Sequence, residues 1–176
     1  MFTVGHSTRS LDELVELLRE HGTTLLADVR TAPGSRRMPH FAKAALAADL
    51  PARDIEYAHL PELGGLRRPR PDSPNAGWHN ESFRGYADHM ADPDFAVGLD
   101  RLVAWSRDRD VAVMCAEAVP WRCHRSLIAD ALLARGLAVT HVLGPGRTQP
   151  AALTPFARVD GGRITYPGPV QERLTL

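Results

Sequence analysis

The chain predicts an α/β fold with a mostly parallel sheet, and three observations carry the prediction. Short apolar runs of strand character alternate with amphipathic helical stretches, and most of the helices carry recognisable start or stop residues. No stretch repeats or falls into low complexity. Alternation of this kind builds βαβ crossovers, so a sheet of about five strands carries helices on both faces, giving three layers. A length of 176 residues suits one domain spanning 1–176, with an α/β core over 1–145 and a C-terminal extension over 146–176.

Residues 2–5 form the first strand. Ser10-Leu11-Asp12-Glu13 is a capping box, and the Leu11, Leu14, Val15, Leu18 stripe gives the helix it opens one apolar face, closed by Gly22. Residues 25–29 are a buried-type strand ending in Asp28-Val29-Arg30, 41–50 a short helix stopped by Pro51, and 55–60 a third strand. Residues 61–80 show no period and are rich in proline, glycine and arginine; a loop of that length is functional or mobile. Helix resumes over 81–90, and Asp92 with Pro93 opens another, to about residue 107. Residues 111–115 are the most hydrophobic strand, 122–135 a helix closed by Gly136, and 138–143 the last strand of the series. Asp160-Gly161-Gly162 supplies the turn of a C-terminal hairpin over 157–166.

Lys plus Arg and Asp plus Glu each number 21, so the formal net charge is zero. That balance excludes a globally basic nucleic-acid or anionic-membrane binder. Lys43 is the sole lysine; every other cation is arginine, the residue whose planar fork grips carboxylates and phosphates in pairs. No leader-like segment precedes the first strand, and no apolar run approaches the roughly 20 residues of a membrane span. A cytoplasmic protein with Cys115 and Cys123 as reduced thiols, and no membrane partner, is therefore expected.

Ligands of parallel sheets bind beyond the carboxyl ends of the strands. His6 and Ser7 follow the first strand; Asp28, Arg30, Ser35, Arg36 and Arg37 follow the second; His59 and Glu62 follow the third. Cys115 and Glu117 follow the fourth, with Cys123, His124 and Arg125 opening the next helix. A helix N-terminus there attracts anions and lowers a cysteine pKa. The expected function is an enzyme acting on a small anionic substrate, phosphorylated or nucleotide-like. Cys115 is its thiol, Glu117 and His6 its acid or base, and Ser7, Asp28, Arg30, Ser35, Cys123, His124 and Arg125 its binding residues. Asp28 and Arg30 share one face of their strand and are equally suited to pairing with each other.

A metal site would draw on Cys115, Cys123, His124 and His6. Seven residues between the cysteines match no common zinc spacing, and consecutive helical residues diverge by about 100°, so no metal ligand set is assigned and no cofactor is named. A non-catalytic alternative uses the long loop, where Arg67, Arg68 and Arg70 beside Trp78 suit single-stranded nucleic acid or a nucleotide base. Thiol or sulfur transfer is a further alternative. Asp28-Val29-Arg30, with the Cys115 loop leading to an arginine-bearing helix, is similar to rhodanese-like domains. Glu117, two residues past Cys115, departs from that pattern, because a carboxylate there repels the anion such a loop cradles.

Taken together, Val4-Gly5-His6-Ser7, Asp28-Val29-Arg30 with Pro33 and Ser35, Tyr57, Leu63-Gly64-Gly65, Phe83, Tyr86 and Met90 form one pattern with Cys115-Ala116-Glu117 and Cys123-His124-Arg125. The chain resembles, over about residues 3–143, the family known as domain of unknown function 488. The resemblance implies a compact α/β domain and a single site containing the matched polar positions.

Overall fold

A computed structural model describes residues 1–34 and 36–169; Ser35, an expected binding residue, lies outside the described residues. Strands β1 (Phe2–Gly5), β2 (Leu25–Asp28), β3 (Glu56–His59), β4 (Val111–Cys115) and β5 (Thr140–Gly144) pair in parallel in the order β3-β2-β4-β1-β5. A sixth strand, β6 (Arg147–Pro150), adds to β5 antiparallel, one more than the sequence predicts. Its four residues are all exposed, so no apolar period marks it.

The helices are α1 (Leu11–Glu20), α2 (Lys43–Asp49), α3 (Glu81–His89), α4 (Pro93–Trp105) and α5 (Arg125–Ala134). Right-handed crossovers dictate which face each covers. The connections β1-α1-β2 and β2-α2-β3 move one way along the sheet, and those through α3, α4 and α5 return the other way. Two cores result. Leu14, Val15, Leu18 and Leu46 of α1 and α2 pack on Val4, Leu26, Ala112 and Met114. Phe95, Leu99, Leu127 and Ile128 of α4 and α5 pack on Leu25, Ala27, Val111, Val113 and Cys115. The strand period of two thus sends Cys115 toward α5, whereas Leu26 and Met114 face α1. None of the described helices is long and apolar enough to cross a membrane.

The caps behave as their chemistry predicts, with one exception. The Ser10–Glu13 box is formed in both directions. Asp92 stands at the N-cap of α4 but makes no capping bond, because its carboxylate instead takes His89 Nδ1 at 3.0 Å and Arg70. The C-terminal hairpin forms as β7 (Arg158–Asp160) and β8 (Arg163–Thr165), with Gly161 and Gly162 both at positive φ. It packs Ile164 and Tyr166 into the α5-side core, and Tyr166 Oη donates to Asp130 at 2.8 Å.

The long loop is held in place rather than loose. The buried carboxylate of Asp88 on α3 accepts from Arg70 N (2.8 Å), Ser73 Oγ (2.6 Å) and Asn75 Nδ2 (2.8 Å). Asn75 in turn accepts from Tyr166 N at 2.8 Å.

Candidate functional site

The expected helix start at residue 122 is corrected by the structure. A 3-10 turn, Pro120–Arg122, is followed by Cys123 in extended conformation (φ −140, ψ 147), and α5 begins only at Arg125. Cys123 is therefore not at the helix N-terminus, and the roughly 100° divergence that disfavoured its joint action with His124 does not apply. Instead the two converge. Cys115 Sγ lies 3.9 Å and Cys123 Sγ 3.7 Å from His124 Nδ1, and the three atoms sit within 4.8 Å of one another.

His124 is fixed from behind. Its Nε2 lies 3.2 Å from the Val29 carbonyl, which only accepts, so Nε2 carries a proton and the ring turns Nδ1 toward the sulfurs. Tyr86 packs on the imidazole with ring centroids 4.9 Å apart, and its hydroxyl donates to the Leu63 carbonyl. Gly65 stands at the front, where a Cβ would lie 2.9 Å from Nδ1. Hydrogen bonding to Cys123, then burial, pushes the Cys115 thiol up. The same bond, then His124 and the Arg125 charge, hold the Cys123 thiol well below its ordinary range against the opposing effect of burial.

Arg125 is wholly buried. Its Nη2 donates to the Glu117 carbonyl at 2.5 Å, while Nε and Nη1 meet no hydrogen-bond partner among the described residues. Backbone bonds from His6 N to the Cys115 carbonyl (3.0 Å) and Ser7 N to the Ala116 carbonyl (2.9 Å) zip the 115–117 loop onto the end of β1. A pocket of about 140 Å³ opens over the cluster, walled by Phe83, Tyr86, Glu117 and Arg122. A second concavity of about 290 Å³ shares Gly65, Leu66, Cys115, Glu117 and His124 with it and reaches Arg30 and Thr31. Glu117 is exposed at this rim, its carboxylate in no ion pair among the described residues, and Leu66 stands 90% exposed in the left-handed region (φ 60).

The remaining expected residues gather separately, on the α1 and α2 side of the same edge. Buried Asp28 accepts from Arg30 Nε (2.8 Å), Arg30 Nη2 (2.6 Å) and Tyr57 Oη (2.7 Å). Arg30 Nη2 also donates to the Phe41 carbonyl, and Arg30 Nη1 approaches His6 Nε2 at 3.3 Å. His6 Nδ1 bonds the Ser7 carbonyl at 2.9 Å, and the ring stacks on Phe41 with centroids 4.2 Å apart. Burial, then the Arg30 charge, pushes the His6 pKa down to about 4. Both ring nitrogens are engaged, and Ser7 contributes its backbone at φ 51. The single site that the sequence implies is thus two adjacent groups, joined at Arg30. Among the described residues the thiol cluster gathers Cys115, Cys123 and His124, and His6 lies in the other group beside Arg30 and Phe41.

The loop residues proposed for nucleic acid are differently placed. Trp78 is half-buried against Phe83, Phe156 and Tyr166, Arg70 pairs with Asp92, and Arg67 Nε donates to the Gly64 carbonyl. Gly65 and Tyr86, both within the quoted motifs, join the site although neither was assigned a role in it. Arg122, adjacent to Cys123, was overlooked because a helix start was expected there.

A family model described as domain of unknown function DUF488 matches residues 10–132. No curated protein and no solved structure matches the chain.

Proposed function

We propose that this chain, which belongs to the DUF488 family, is a cytoplasmic enzyme that binds a small anionic substrate, phosphorylated or nucleotide-like, over the Cys115–Cys123–His124 cluster. The observation that carries the reading is the convergence of two thiols and an imidazole on the floor of a pocket, at the carboxyl edge of a parallel sheet. Titratable groups with strongly perturbed pKa values gathered in a cleft are candidates for a functional site.

Charge supports an anion. Arg125 lies buried without a carboxylate partner among the described residues, and in low dielectric its field reaches the cluster with little screening. Arg122 adds a second cation at the rim. Arg30, the cation of the neighbouring group, is neutralised by Asp28. Glu117 is the one carboxylate on the pocket wall among the described residues, and it is placed to hold or move a proton of the bound substrate. In this reading Cys115, Cys123 and Glu117 carry the chemistry, His124 and Arg125 orient and charge the floor, and the His6–Arg30–Asp28 group braces the edge.

The test is a thermal-shift panel of inorganic phosphate, nucleoside monophosphates and sugar phosphates. A ligand of this class at about 100 times its Kd stabilises the native state by about 2.7 kcal/mol. The shift should vanish in Cys123→Ser and Arg122→Ala, while both variants unfold cooperatively without ligand. A panel in which neutral compounds bind and anions do not sinks the proposal.

A further inference from the structure

We infer that Cys115, Cys123 and His124 form a three-ligand site for a zinc-type divalent cation, with a fourth position facing the pocket. The inference rests on reading this cluster as the reaction centre and supplies the ion for it.

Geometry is the first support. Tetrahedral zinc has Zn–S near 2.3 Å and Zn–N near 2.0–2.1 Å, which sets the N···S edge of the tetrahedron at about 3.6 Å. The two N···S edges here are 3.7 and 3.9 Å, within a few tenths of an ångström of that value, and the S···S edge, about 3.8 Å in the ideal tetrahedron, lies within 4.8 Å and closes when the cation enters. The turn of the backbone between Cys123 (φ −140) and His124 (φ −57) brings two consecutive side chains to one point.

The donor set and its surroundings agree with this. Two sulfurs and one imidazole suit a borderline-soft cation, and three protein ligands with one open position are the pattern of catalytic rather than structural zinc. Ligating histidines characteristically donate their other N–H to a carbonyl or carboxylate, and here Nε2 donates to Val29 at 3.2 Å. Gly65 keeps the approach to Nδ1 clear, since a Cβ would stand 2.9 Å from it. Glu117 lines the pocket two residues after Cys115, matching the ligand-x-Glu spacing by which zinc deaminases place a non-ligating acid–base glutamate.

Charge balance then explains Arg125. Two thiolates neutralise a divalent ion, leaving the buried guanidinium as an uncompensated positive charge beside it. An anion at the fourth position supplies the missing counter-charge.

Cobalt titration of the metal-free, reduced full-length chain tests the assignment. One equivalent should bind per chain, with thiolate-to-cobalt charge-transfer absorption and d–d bands of tetrahedral strength, both erased by added zinc. Cys123→Ser should weaken the sulfur band, and His124→Gln should weaken binding at least about tenfold. Gly65→Ala leaves every ligand in place but crowds Nδ1, and should also lower cobalt affinity while the circular dichroism spectrum is unchanged. An octahedral spectrum without a sulfur band, or a sulfur band untouched by Cys123→Ser, overturns the assignment. The titration uses the metal alone, so the two claims fail separately. Cobalt binding without phosphate binding removes the anionic substrate and leaves the metal site. Phosphate binding without cobalt binding does the reverse.

Discussion

His124 reaches across the sheet edge to the Val29 carbonyl, 3.2 Å away at the end of β2, and this contact ties the thiol loop to a neighbouring strand. The bond fixes both the tautomer and the direction of the ring. The site therefore depends on how β1, β2 and β4 end as much as on the cysteines themselves, and several consequences are measurable away from the chemistry.

Gly5 is where β1 meets the 115–117 loop. A Cβ there would lie 1.8 Å from the Glu117 carbonyl oxygen and 2.9 Å from Arg125 Nη2, neither of which is a loose end. Gly5→Ala should destabilise the protein by about 1–3 kcal/mol, the usual cost of overpacking, in urea denaturation. It should also impair ligand binding, because the displaced carbonyl is the one hydrogen-bond partner of the Arg125 side chain among the described residues.

Asp88 organises the long loop through three hydrogen bonds at 2.6–2.8 Å. Asp88→Ala removes all three acceptor contacts and should cost about 3 kcal/mol, with faster amide exchange over residues 70–77. A loop that is functional through mobility would instead show little change.

His141 is buried on β5, with Nδ1 2.7 Å from Thr3 Oγ1, and burial followed by the Arg125 charge pushes its pKa down to about 4. The ordinary value is 6.5, so the unfolded chain takes up this proton first as pH falls. Its contribution is complete above pH 6.5 and is lost on acidification toward pH 4. His141→Gln should be less stable than wild type at pH 7.5, with a shallower fall in stability over that interval, read by denaturation at each pH.

Leu66 occupies the left-handed region while 90% exposed, so it buries little in return for a conformation that costs a branched residue about 1–2 kcal/mol. Leu66→Gly should hold or raise the melting temperature. If Leu66 covers the bound ligand at the pocket mouth, the same variant weakens binding in calorimetric titration.

Much of this architecture was legible in the chain. Alternating strands and helices, the Ser10 capping box and the Gly161-Gly162 turn act locally, so their signals lie within a few residues. The edge strand β6 left no signal because an exposed antiparallel partner needs no apolar face. Cys115, Glu117, Cys123, His124 and Arg125 were found as neighbours of strand ends, but two features of their arrangement were not. The extended conformation of Cys123 depends on the Pro120–Arg122 turn, which a helix-start reading overlooks. The separation of His6, Asp28 and Arg30 from the cysteines follows from which sheet face each strand's last residues point to, and the pleat decides that only once the register is known.

A pocket made positive by Arg122 and Arg125 should deliver small anions to the thiols, and alkylation of the metal-free protein reads this out. Iodoacetate and iodoacetamide have nearly the same size and differ in charge. Anionic iodoacetate should modify the Cys115–Cys123 pair faster than neutral iodoacetamide, with the preference reduced in Arg122→Ala and by added salt. Faster reaction with iodoacetamide, insensitive to salt and to Arg122, would contradict it.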